Sequence, residues 1–141
     1  MAKIAVIRVR GEVKKRPGIN ETMDMLRLYN KNYCVVVEDT PQNIGMINKV
    51  KDFVTYGLID ENTFKELVEK RGEEYKGPIK DSKGKIDYNR KYFELNGKRY
   101  RKFFRLAPPR NGYRSIKKPF LRGGALGNRK EKINGLIRRM I

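Results

Sequence analysis

The sequence predicts an α/β (α+β) fold: a β-α-β-α-β core in which a small three-stranded sheet carries helices on one face. Three observations lead there. Runs rich in β-branched residues at 4–9, 33–38 and 53–58 alternate with stretches of helical periodicity. Thr40-Pro41 is a specific helix start, pairing a capping hydroxyl with a proline where no N–H is needed. The charge is also split. Of a net +18 over 141 residues, +14 falls on residues 98–141, which hold 15 Lys/Arg and only Glu131 as an acid. The first 97 residues carry the remaining +4. This divides the chain into a core at 1–59, a helix with linker and hairpin packed on it at 60–97, and a basic extension with a terminal helix at 98–141.

Residues 4–9 alternate into two β-branched sets, flanked by Lys3, Arg8 and Arg10, and read as the first strand. The basic loop that follows ends in the turn signal Pro17-Gly18. Asn20 is expected to cap a helix over 21–29, with Ile19, Thr22, Leu26 and Tyr29 on one stripe. Residues 33–38 are continuously apolar, as in a central strand. The Thr40-Pro41 helix presents Ile44, Ile47, Val50 (or Lys51) and Val54 inward, and Thr55, Tyr56 and Gly57 favour a third strand over its continuation. Such a sheet leaves its second face free. Asp60 or Asn62 opens a third helix, with Phe64, Leu67 and Val68 buried and Gly72 as its stop. Residues 73–87 read as linker. Residues 91–95 and 98–106 flank Asn96-Gly97, a two-residue hairpin signal. Beyond Pro108-Pro109, residues 110–127 read as an extended basic loop. Asn128 with Glu131 then forms a capping box before a helix that docks through Ile133, Leu136, Ile137 and Met140.

Composition narrows the chemistry. With no His and a single Cys, zinc sites and Ser-His-Asp or Cys-His catalysis are excluded. Cys34 lies in Cys34-Val35-Val36-Val37 and reads as a small buried thiol; a lone cysteine fits a reducing cytoplasm. No signal-peptide core follows Met1, and no apolar run approaches membrane-spanning length. Glu38-Asp39 and Glu73-Glu74 have no convergent partner for acid/base work. The expectation is a soluble cytoplasmic protein that is not an enzyme and has no cofactor, metal, small-molecule substrate or membrane partner.

A dense cationic stretch is stabilised by a polyanion, because binding releases the counterions condensed on phosphates. The extension is therefore expected to gain its order from that partner. Gly123-Gly124-Ala125-Leu126-Gly127-Asn128-Arg129 is neither a P-loop nor a dinucleotide fingerprint, but its glycines let backbone N–H groups approach phosphate. Tyr113 and Phe120 are candidates to stack on unpaired bases, whereas Phe103 and Phe104 read as packing residues.

The run Asp39-Thr40-Pro41-Gln42-Asn43-Ile44-Gly45-Met46-Ile47-Asn48-Lys49-Val50 resembles the universal large-subunit ribosomal protein family numbered thirty in bacteria and seven in eukaryotes. Ile7-Arg8-Val9-Arg10-Gly11 and Glu21-Thr22 with Leu26 are similar to that family's first strand and helix. Pro108-Pro109-Arg110-Asn111-Gly112 and the stretch from Gly123 to Met140 resemble the tail of its longer, archaeal-type members. The resemblance implies a structural constituent of the large ribosomal subunit, with large-subunit ribosomal RNA and neighbouring ribosomal proteins as partners.

The RNA-contacting residues expected on this reading are Arg8, Arg10, Lys14, Lys15, Arg16, Asn48, Lys49 and Lys51 in the core. In the extension they are Arg110, Tyr113, Arg114, Lys117, Lys118, Arg122, Gly123, Gly124, Asn128, Arg129, Lys130, Arg138 and Arg139. Other readings of the same charge are a non-ribosomal structured-RNA binder, an architectural DNA-binding protein, and a module for anionic membranes or acidic proteins.

Overall fold

The computed structural model describes residues 3–10, 17–51, 53–75, 92–95, 98–110, 112–113 and 118–141. The core elements are β1 (Lys3–Arg8), α1 (Pro17–Met25), β2 (Tyr33–Glu38), α2 (Pro41–Lys49) and β3 (Val54–Ile59). They are followed by α3 (Glu61–Arg71), β4 (Tyr92–Leu95), β5 (Lys98–Arg101), β6 (Phe104–Arg105), β7 (Gly127–Asn128) and α4 (Ile133–Met140). Two 3₁₀ turns, Phe120–Arg122 and Lys130–Lys132, lie either side of β7.

The expected β-α-β-α-β core is present, with β1 central and antiparallel to both β2 and β3. The sheet is wider than its three strands. β6 adds to β2 and β7 adds parallel to β3, giving the order β6-β2-β1-β3-β7. Both edge additions come from the basic extension.

The second face of the sheet is covered, contrary to expectation. Successive residues of a strand point to opposite faces, and both parities of β1 and β2 are apolar. Ile4, Val6 and Val35 meet Met23 of α1, Leu26 just after it, and Ile47 of α2. Ala5, Ile7 and Cys34 meet Leu67 of α3 and Leu136 and Ile137 of α4. A strand apolar on both sides needs two covering layers, and the extension supplies half of the second one. Phe104, Leu106, Ile133, Leu136, Ile137 and Met140 are all buried in it. The described residues of the extension are thus packed into the fold instead of standing apart from it as an arm.

Several local expectations shift. α1 starts at Pro17, so Asn20 lies inside it and not at its cap; proline is tolerated in a first turn whose N–H groups have no intrahelical acceptor. It ends at Met25, where the Arg27 N–H bonds Asp24 O, the Leu28 N–H bonds Met23 O, and Arg27 takes φ +63°. This is a Schellman ending, and it leaves Tyr29 46% exposed, off the buried stripe. In α2 the Thr40 hydroxyl accepts from the Asn43 N–H at 3.3 Å with Pro41 next, as expected. Ile47 and Val50 are buried, but Ile44 is exposed and Val54 already belongs to β3. Asp60 caps α3 through the Thr63 N–H at 2.6 Å. Gly72 stops it at φ −64°, not in the left-handed region; a side chain there would collide with the Val68 carbonyl and crowd Tyr100.

β4 and β5 pair as the expected hairpin, Leu95 opposite Lys98; Asn96-Gly97 lies outside the described residues. The second hairpin strand does not run unbroken through 98–106. It ends at Arg101, and Phe104–Arg105 crosses to the main sheet. Phe103 marks the switch, stacked on Tyr33 with centroids 5.5 Å apart.

Candidate nucleic-acid interface

β1 stops where β2 and β3 begin, since both neighbours are antiparallel to it. That end of the sheet collects most of the expected residues. Arg10 leaves β1 with its N–H on Phe53 O at 3.1 Å and its guanidinium over the Phe53 ring at 5.2 Å. Asn48, Lys49 and Lys51 are exposed at the end of α2, just before Phe53. The Lys49 ammonium reaches back to Gly18 in the first turn of α1, where an added Cβ would lie 3.5 Å from it.

The extension docks on the same end. Val9 packs with Ala125 and Leu126. The Leu126 N–H bonds Lys118 O, and the Phe120 N–H bonds Leu126 O, closing a compact loop in place of an extended one. Gly123 turns this loop at φ +84°. Gly124 is buried, and any side chain there would strike the Lys118 carbonyl, so its role is close packing of the loop. Lys118, Arg122 and Lys130 are exposed on it.

Arg110 and Arg139 meet at the end of α4. The Arg110 N–H bonds Arg139 O at 3.1 Å, and Arg139 Nη1 donates to Arg110 O at 3.4 Å. Cations there complement the negative end of the helix dipole. Arg138 pairs with Glu66 at 3.8 Å, and Glu73 pairs with Arg101 and Arg105. Among the described residues, no carboxylate pairs with Lys49, Lys51, Lys118, Arg122 or Lys130.

Three expected contacts turn inward. Arg8 is only 5% exposed; its Nη1 donates to Leu28 O at 2.7 Å and its Nε to Arg10 O at 3.0 Å. It ties the Schellman ending of α1 to the end of β1. Arg129 is also buried, donating to Thr55 Oγ1 at 2.8 Å and Ala125 O at 3.2 Å, with its guanidinium 4.6 Å from the Phe120 ring centre. It fastens the loop to β3. Tyr113 packs on the core instead of offering a face to a base. Its hydroxyl donates to Asn32 Oδ1 at 2.8 Å, and burial pushes its phenol pKa up. Phe120, covered by Arg129 and by Lys132 at 5.5 Å, is likewise engaged within the chain.

Asn128 does not cap α4. Its Oδ1 accepts from the Lys130 N–H at 2.8 Å, and a 3₁₀ turn intervenes before the helix begins at Ile133. Asn128 is already extended, because β7 pairs it with Tyr56. Lys14, Lys15, Arg16, Arg114 and Lys117 lie outside the described residues. Two participants were not anticipated. Asn32, at φ +70°, joins Arg8 O to Leu106 and Tyr113; Lys132 is exposed beside Phe120. The run Arg129-Lys130-Glu131-Lys132 signals the second, whereas only tertiary structure reveals the first.

No helix among the described residues is long and apolar enough to cross a membrane, and none of their acidic or cysteine side chains gather as a metal site.

Known proteins resemble this chain over nearly its whole length. The family model described as ribosomal protein L30p/L7e matches residues 4–54. The large ribosomal subunit protein uL30 of Methanopyrus kandleri is 40% identical, the alignment covering 94% of this chain and 100% of that one. Its namesake in Methanococcus maripaludis strain S2 is 41% identical, over 97% of this chain and 98% of the relative. That of Methanoregula boonei is 38% identical, over 96% and 98%.

Proposed function

The chain belongs to the ribosomal protein L30p/L7e family, and from this we propose that it is a structural constituent of the large ribosomal subunit that binds large-subunit ribosomal RNA through one end of its sheet. The observation that carries the RNA contact is a group of exposed cations there that have no carboxylate partner among the described residues: Lys49 at the end of α2, Lys51 just after it, and Lys118 and Arg122 from the docked loop. Cations on two separate segments, held by one packed core, suit phosphates fixed in space. A-form RNA hides its base edges in a deep, narrow groove, so shape and backbone are what such a surface meets. Arg10, Asn48, Lys130, Arg110 and Arg139 border the same surface. Lys14, Lys15, Arg16, Arg114 and Lys117 lie outside the described residues and stay candidates from sequence alone. The protein acts on the ribosome, in the cytoplasm, beside other large-subunit proteins.

The test replaces Lys49, Lys51, Lys118 and Arg122 with Gln and follows affinity for a large-subunit RNA fragment against salt. Each lost phosphate contact lowers the log–log slope by about 0.7–0.9, so the quadruple variant loses about three. An unchanged slope overturns the assignment, and equal affinity for duplex DNA of the same charge favours the architectural DNA reading.

A further inference from the structure

Among the described residues, non-glycine positions in the left-handed region are Arg27 at φ +63°, Asn32 at φ +70° and Lys130. The first two bracket residues 28–31, the turn from α1 into β2. Such backbone is uncommon outside glycine and persists only where surrounding contacts impose it. The contacts here come from distant parts of the chain. Buried Arg8 donates from Nη1 to Leu28 O at 2.7 Å, and its carbonyl accepts from the Asn32 N–H at 2.8 Å. Asn32 Oδ1 accepts from the Tyr113 hydroxyl at 2.8 Å.

What this fixed turn displays is Tyr29. Its side chain is 46% exposed, whereas Tyr113 and Phe120, the aromatic residues expected from sequence to meet bases, are engaged within the chain. The Tyr29 ring is not loose. It meets Phe103 at 86° with centroids 5.6 Å apart, and Phe103 lies parallel to Tyr33, whose hydroxyl accepts from Asn30 Nδ2 at 3.3 Å. Tyr33 and Phe103 pack in turn on the apolar cluster under α1 and α2. Asn30 and Lys31 beside Tyr29 are exposed, and among the described residues no carboxylate pairs with Lys31. The turn adjoins the end of β1 that leads into Arg10, because Arg8 bonds Leu28 O with one nitrogen and Arg10 O with another. It therefore lies at the end of the sheet assigned to RNA.

We propose that Tyr29 is a stacking platform for an unpaired base of the bound RNA, with Phe103 and Tyr33 as its support and Lys31 beside it for the adjoining phosphate. The proposal rests on the RNA-binding reading and adds to it a contact that is not electrostatic. A planar ring held in advance, next to a cation without a carboxylate partner among the described residues, suits a nucleotide whose base is free to leave its helix. Because Tyr29 is already oriented, little further freedom is lost when a base settles on it.

The test uses the full chain with two probes, the large-subunit RNA fragment and a fully paired RNA duplex of the same length. Tyr29→Leu keeps an apolar side chain against Phe103 but removes the planar face, and Tyr29→Phe keeps that face. Thermal melting without RNA checks that both variants fold. Tyr29→Leu should weaken the fragment by about fivefold to a hundredfold, with the salt slope unchanged, and should bind the duplex as the parent does. Tyr29→Phe should bind both probes as the parent does. In the parent protein, the Tyr29 ring protons should move upfield in the NMR spectrum when the fragment binds, since a base stacked on the ring shields them. The proposal is overturned if Tyr29→Leu binds the fragment as tightly as the parent, if it weakens fragment and duplex equally, or if the ring resonances stay in place. An unchanged salt slope in the variant with Gln at 49, 51, 118 and 122 overturns the RNA reading and this contact with it. A lowered slope there beside an unaffected Tyr29→Leu overturns the stacking alone.

Discussion

Replacing Ile137 by Ala separates an extension built into the fold from one ordered only by a partner. Ile137 is fully buried in the cluster that includes Leu67 of α3 and Phe104 of β6. Truncating such a residue removes its transfer free energy and leaves a cavity, at a cost of about 2–5 kcal/mol. With a urea m-value of about 2 kcal/mol/M for a small domain, the unfolding midpoint of the free protein should fall by about 1–2.5 M. Arg138→Ala, one residue further, is the control. That side chain is half exposed, and its pair with Glu66 at 3.8 Å is a surface contact, worth about 1 kcal/mol at most. Both variants are measured without RNA. If Ile137→Ala lies within about 0.5 kcal/mol of the parent, a difference typical of exposed sites, α4 does not hold the core together and the packing argument fails.

Three further outcomes follow from buried or capping groups. Arg129→Met should cost about 1–3 kcal/mol, because the carbonyl of Ala125 loses its charged donor; lysine should not restore it, lacking the planar fork, and the salt slope for RNA should stay unchanged. Burial pushes the Cys34 thiol up to about 12, so the folded protein should ignore thiol reagents at pH 8 until denaturant is added. Between the ordinary thiol pKa near 9 and that value, the unfolded chain releases its proton first, so stability should fall as pH rises, and Cys34→Ala should lack this contribution. The Thr63 N–H, donating to Asp60 Oδ1 at 2.6 Å, holds the Asp60 carboxyl below its ordinary pKa; this stability is present above about pH 4 and is lost on acidification. Asp60→Ala should therefore cost about 0.5–1 kcal/mol at neutral pH, and less at pH 2 in the same denaturation assay.

What could be read from residues alone was whatever local chemistry decides. Thr40-Pro41 set the start of α2, and the stripe Ile133, Leu136, Ile137 and Met140 was identified as a docking face, because caps and helical periodicity depend on a few adjacent positions. The second covering layer was missed, though its signal is in β1: Ile4-Ala5-Val6-Ile7 is apolar on both parities, which an open-faced sheet does not need. The inward turn of Arg8, Arg129 and Tyr113 was not legible. Nothing in a charge count separates an arginine that ties two backbone segments together from one that meets phosphate; the difference is made by Leu28 O, Thr55 Oγ1 and Asn32 Oδ1, from distant parts of the chain.

That division of labour among the cations changes the energetics expected of binding. A disordered basic arm has to lose its conformational entropy when it meets RNA, at about 1–2 kcal/mol per residue fixed. Here the entropy of the loop from Lys118 to Asn128 is already lost in folding, offset by Ala125, Leu126 and the apolar face of α4. Arg129 and Arg8 spend their charge inside so that Lys118, Arg122, Lys49 and Lys51 are held outside at fixed spacing. Preorganised cations favour an RNA whose phosphates match that spacing over one that merely carries the same charge. On the proposed RNA-binding reading, selectivity for folded RNA would reside in the apolar residues of the extension as much as in its arginines. A variant with a loosened core, such as Ile137→Ala, should accordingly lose discrimination between folded and unfolded RNA before it loses affinity.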